Sequence, residues 1–178
     1  SGELYMQISP DQLGKEFIHF TYTENGVLEA GHHRGAYRGS RIFKIVRNYE
    51  SLEFIQQNTS FYFDPNNNVS KSASANISDA ILAHEKIVAK DKAGNLLISA
   101  DELFLSEQLH QVVAGGRPGR GFELGRLAKG KTQYEKIKNY PANLDIVVKY
   151  VYDNASPKGG ATSAVTDPRS VSILLQHS

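Results

Sequence analysis

Cysteine is absent from the 178 residues, which excludes a disulfide framework, thiolate catalysis and cysteine-ligated zinc. That absence suits the cytosol and a bacterial periplasm equally. Long apolar runs are also missing: no stretch approaches the ~20 residues of a membrane helix, and the first residues lack the basic-then-apolar order of an export signal. Charge of either sign is scarce in excess. Lys and Arg number 20 against 19 Asp and Glu, a formal net charge of +1, which argues against a whole-surface nucleic-acid binder while leaving local patches open. Two catalytic signatures are lacking as well. No GxSxG nucleophile elbow occurs, and the zinc-protease string that His84 and Glu85 begin is broken by Val88, where its second histidine belongs. No catalytic constellation, metal site or cofactor site is therefore expected, and the chain reads as a non-enzyme.

What is present is ordinary for a folded domain: 40% hydrophobic, 22% charged and 10% aromatic residues. The length suits a single domain over 1–178 that buries roughly 70% of its unfolded surface. Period-two alternation recurs along it. "ELYMQI" reads as a strand, followed by a capped turn at Ser9, Pro10 and Gln12 that Gly14 stops. "KEFIHFTYT" puts Ile18, Phe20 and Tyr22 on one strand face. "SRIFKIVRN" with "SLEFIQQN", and "AILAHEKIVAKD" with "NLLISA", read as hairpins. Ser99 and Glu102 predict a helix over "DELFLSEQLHQVV", and "TQYEKIKN" suggests a second short helix before Pro141. "NLDIVVKYVYD" is the clearest strand, with Leu144, Ile146, Val148, Tyr150 and Tyr152 on one face and the terminal "SVSILLQHS" as its partner. The prediction is a mainly β, β-rich α+β fold: antiparallel sheets built from hairpins, with one or two short helices.

Residues 125–132, "GRLAKGKT", match the GxxxxGK[ST] phosphate-loop pattern. Such a loop hangs from a long hydrophobic strand and opens a helix. Here a glycine-dense run precedes it, with six of the fifteen glycines between Gly115 and Gly130, so the match reads as coincidence. The same stretch gathers cations: Arg117, Arg120, Arg126, Lys129, Lys131, Lys136 and Lys138 stand against Glu123 and Glu135. Arg117, Arg120, Arg126, Lys129 and Lys131 are the candidate anion-binding residues, and loop 117–138 the candidate anion- or polyanion-binding module. His32 and His33 are adjacent and point apart in extended chain, a poor metal pair. Asp11, Glu16, Glu53, Asp101 and Asp145 could supply paired carboxylates, which sequence alone does not pair.

In order along the chain, "ELYMQISPDQLGKEFIHFTYT", "RGAYRGSRIFKIVR", "NLLISADELFLS", "IKNYPANLDIVVKYVY" and "DPRSVSILLQHS" resemble a domain of unknown function. That domain lies N-terminal to the metzincin-like catalytic domain of large secreted bacterial zinc metallopeptidases. The resemblance covers nearly the whole chain. It implies a fragment of a larger exported protein, periplasmic or extracellular, whose HExxHxxGxxH zinc motif lies downstream. It further implies a non-catalytic accessory role, with the catalytic domain of the same polypeptide, or a protein or peptide substrate, as partner. No functional residue is carried over, because the family's chemistry lies outside the matched region. The His32–His33 pair and the basic run at 115–131 depart from the expected pattern.

Overall fold

Alternating side chains need one face covered, and the chain answers with strands paired in antiparallel register throughout. The computed structural model describes residues 2–64, 66–67, 70, 77–112, 122–158 and 164–178. Among them run β1 (Tyr5–Ile8), β2 (Glu16–Asn25), β3 (Tyr37–Asn48), β4 (Ser51–Gln56), β5 (Ala80–Lys90) and β6 (Leu96–Ser99). The helix α1 (Asp101–Leu105) follows, then β7 (Arg126–Leu127), β8 (Gln133–Asn139), β9 (Leu144–Asp153) and β10 (Ser170–His177). The fold is mainly β, as the alternation predicts. Two compact units can be distinguished, Ser1–His19 with Arg41–Leu103 and Phe20–Ser40 with Phe104–Ser178.

In the first unit the hydrogen-bonded order is β1, β6, β5, β4, β3. The tight β3–β4 turn requires a left-handed residue, and Tyr49 takes it at φ 51°. Arg47 holds that turn by donating Nε to the Tyr49 carbonyl at 2.8 Å. The β5–β6 turn is closed by Asp91, which accepts from the Asn95 amide at 2.9 Å and its Nδ2 at 2.7 Å. The predicted cap at Ser9 forms: its amide donates to Gln12 Oε1 at 2.9 Å, and Gly14 ends the turn at φ 77°. Ile8, Ile45, Leu52, Phe54, Ala83 and Ile98 make the core, with Phe43 bridging Phe17 and Phe54 at 5.6 and 5.8 Å.

The second unit is organised by β9. β10 pairs along its whole length on one side, and β7 and β8 share the other. Ile146, Val148, Tyr150 and Tyr152 on one face and Val147 and Val151 on the other are all buried, with Asp145, Lys149 and Asp153 of the strand's second face only partly exposed. Its two buried tyrosines satisfy their hydroxyls internally, as burial demands. Tyr150 donates to the Phe104 carbonyl at 2.7 Å and lies 2.9 Å from His177 Nε2. Tyr152 donates to Glu107 Oε1 at 2.8 Å, which also accepts the Val112 amide at 2.8 Å.

These bonds explain one departure from the sequence prediction. The helix expected over "DELFLSEQLHQVV" stops at Leu105. The Phe104 carbonyl, which a continuing helix would offer to the Gln108 amide, takes the Tyr150 hydroxyl instead, and Ser106 Oγ receives that amide at 3.3 Å. A second departure is larger: "TQYEKIKN", predicted helical, is strand β8. A helix that short is marginal alone, whereas the exposed edge of β9 offers a full ladder of backbone partners closed by the Tyr140 amide on the Asn143 carbonyl at 2.8 Å. Of the polar stretch between β4 and β5, residues 65, 68–69 and 71–76 lie outside the described residues.

The Tyr150 hydroxyl serves two buried partners and is replaced by none in phenylalanine. Tyr150→Phe should therefore lower stability by about 2 kcal/mol, read as a drop in the urea midpoint with an unchanged slope.

Candidate interaction surfaces

Most residues of the phosphate-loop pattern have structural employment. Gly125 is required because a Cβ there would lie 2.0 Å from the Asp153 carbonyl oxygen. Arg126 and Leu127 then pair with Asp153 and Tyr152. The amides that a phosphate would need are spent on carbonyls: Ala128 on Val151 at 2.8 Å, Lys131 on Ala128 at 2.9 Å, Thr132 on Ala128 at 3.1 Å. The Thr132 hydroxyl donates to the Ala128 carbonyl at 3.2 Å and accepts the Val151 amide at 3.3 Å. Lys131 Nζ sits 2.6 Å from Asp153 Oδ2 and holds that carboxyl below its usual range. A strand follows the motif where a phosphate loop has a helix.

Of the candidate anion-binding residues, Arg117 and Arg120 lie outside the described residues. Arg126, Lys129 and Lys131 are exposed on the segment that flanks β9, and Lys136 and Lys138 continue the exposed series along β8. The nearby acids are largely committed: Asp153 to Lys131, Glu135 to Lys149 at 3.9 Å and Glu123 to Lys158 at 3.3 Å. Among the described residues no ion pair forms at Arg126, Lys136 or Lys138, although Arg126 stands opposite Asp153 and Lys138 opposite Asp145 in the ladder.

A second surface was signalled only in part by the sequence. Ile18, Phe20 and Tyr22 do share a face of β2, but that face is the outer one, and His19, Thr21 and Thr23 go inside. Pairing dictates this inversion. Thr21 stands opposite His177 and Thr23 opposite Leu175, both on the buried face of β10, so Tyr22 must fall beside the outward Gln176. The polar side is then anchored. The Thr23 amide donates to Ala36 at 2.8 Å, its carbonyl accepts Gly35 at 2.7 Å, and its hydroxyl lies 3.4 Å from Nδ1 of the buried His32. Gly26 makes room, because a Cβ there would meet His32 Cβ at 2.7 Å. Outside, Phe20, Tyr22 and Tyr37 form a ladder with ring centroids 6.5 and 5.6 Å apart, and they are 36%, 38% and 55% exposed. His32 is thus a buried anchor, while His33 is exposed.

Among the described residues the carboxylates that the sequence offered for pairing stand apart from one another, each with another partner. Asp11 pairs with Lys15 and Glu16 with Lys44, both at 3.3 Å, and Glu53 lies 3.5 Å from His84. Asp101 accepts the Leu4 amide at 3.2 Å and Asp145 accepts Asn143 Nδ2 at 2.9 Å. Among the described residues no group of three metal-ligating side chains assembles. Tyr150 and Tyr152 are pushed well above the usual tyrosine range by burial, then by the Glu107 carboxylate, so both stay hydrogen-bond donors. Glu85, off the apolar pattern of β5, points inward beside Leu52, and its Oε1 meets no hydrogen-bond donor among the described residues.

No protein-family model matches the chain, and no curated protein or solved structure matches it.

Burial, then the Glu102 carboxylate, raises the Glu85 pKa above its ordinary 4.5, with His84 opposing. An acid whose folded pKa is raised favours the fold below its unfolded pKa and loses that contribution as pH climbs past it. Glu85→Gln should therefore raise the melting temperature at pH 7, by about 1 kcal/mol of stability. The gain should shrink as pH falls toward 4.5 and be absent below it. Melts of both proteins across pH check it.

Proposed function

We propose that this chain is a non-catalytic interaction domain of an exported bacterial zinc metallopeptidase, working in the periplasm or outside the cell. Its partner is the catalytic domain that follows in the same polypeptide. The ordered sequence segments resembling the domain found N-terminal to such catalytic domains support the family context. The observation that carries the contact role is the aromatic ladder of Phe20, Tyr22 and Tyr37, turned outward by a strand that buries histidine and threonine. Aromatic rings are the side chains on which binding energy concentrates, since each offers large apolar area at little entropic cost. Removing them from water gives about 25 cal/mol for each Å² covered. A rigid strand holds them, so little order has to be imposed on binding.

The experiment uses this chain and the separately produced catalytic domain, with affinity measured by calorimetry. Replacing Phe20, Tyr22 and Tyr37 together by serine should weaken binding about a hundred-fold or more, while the melting profile of the chain stays close to that of the parent. Unchanged affinity in the folded triple variant would remove the ladder from the interface.

A further inference from the structure

Among the described residues strand β8 is an open edge. Its partner among the described strands is β9, and the register runs Lys136 with Val147, Ile137 with Ile146 and Lys138 with Asp145. Because the Tyr140 amide bonds toward the β9 side, the alternation of an antiparallel ladder turns the backbone groups of Ile137 and Asn139 outward, away from β9. Ile137 shares its face with the buried Ile146 yet remains 44% exposed, so the apolar layer runs to the edge and stops there uncovered. On the other face stand Lys136 and Lys138, two residues apart; neither makes an ion pair among the described residues, and Asp145, opposite Lys138, accepts Asn143 Nδ2 at 2.9 Å instead. The edge thus carries three complementary demands at strand spacing: backbone hydrogen-bonding groups, an apolar cover and two negative charges.

Lysines on an edge also discourage pairing between copies of one chain. That same charge selects a strand of opposite sign. We propose that the edge of β8 binds an extended acidic segment of another protein by strand addition, its alternate carboxylates opposite Lys136 and Lys138 and the apolar residue between them over Ile137. Main-chain hydrogen bonds supply the affinity and the alternating side chains the selection. The register shift between Tyr134 and Lys136 limits regular pairing to the stretch from Lys136 onward, so the bound segment is short. Arg126, on the same side of β9 through its pairing with Asp153, adds positive field along the approach. This inference does not depend on the aromatic ladder.

The test uses the whole chain and a fluorescent synthetic peptide alternating glutamate and valine, with anisotropy as the readout. Saturable binding is expected, abolished when the peptide backbone is N-methylated at alternate residues and weakened about ten-fold or more by Lys136→Glu with Lys138→Glu. A peptide alternating lysine and valine should bind that double variant better than the parent, which shows the variant folded and the charge pairing real. Heparin serves as the polyanion control. If N-methylation leaves binding intact, or heparin binds with the same dependence on Lys136 and Lys138, the edge is a general anion surface and strand addition is wrong. No binding at millimolar peptide overturns it equally.

Discussion

β2 has one face in the interior and one in solvent, and the face it buries is the polar one. The pairing partner makes that choice. β10 buries Val171, Ile173, Leu175 and His177, and the register that sets Thr21 against His177 leaves Phe20 and Tyr22 on the outside. A slip of one residue would bury the rings and expose the threonines. The native register forgoes that apolar gain. It is held by the bonds of Thr23 to Ala36 and Gly35, and by paired amides and carbonyls between Phe20 and Ser178 at 2.8 and 3.0 Å. The outward aromatic face of the second unit follows from this parity.

The interior that β10 faces is unusually polar for a strand pair. His177 and Tyr150 meet at 2.9 Å and Phe104 lies edge-on to the imidazole at 5.7 Å. Such groups stabilise only when each finds a partner. Here the partners come from Phe104 at the end of α1 and from Glu107 just beyond it. One network therefore closes the interior of β9 and β10 and sets where α1 stops. Tyr150 is 0% and His177 2% exposed.

Much of the fold was legible from alternation and turn residues. The hairpins at Tyr49–Glu50 and Asp91–Asn95, the Ser9 cap and the β9–β10 pair rest on local chemistry that the sequence carries. Three features did not show. In "TQYEKIKN", Tyr134 and Ile137 sit three residues apart, a helical spacing, and the tertiary offer of the β9 edge outweighs it. The end of α1 depends on a hydroxyl 46 residues away, which no local signal reports. The outward aromatic face was half visible: sequence places Ile18, Phe20 and Tyr22 together, but which face meets solvent is decided by the partner strand. Of the candidate anion-binding residues, Arg126, Lys129 and Lys131 are exposed. Lys136 and Lys138 gain their meaning only once β8 is seen as an edge.

Tyrosine reactivity tests the parity of β2 most directly. Brief nitration of the native chain, followed by peptide mapping, should modify Tyr22 and Tyr37 readily and leave Tyr150 and Tyr152 untouched until the chain is unfolded. Protection of Tyr22 in the native monomer, with Tyr150 modified at a comparable rate, would contradict the register on which the outward aromatic face depends.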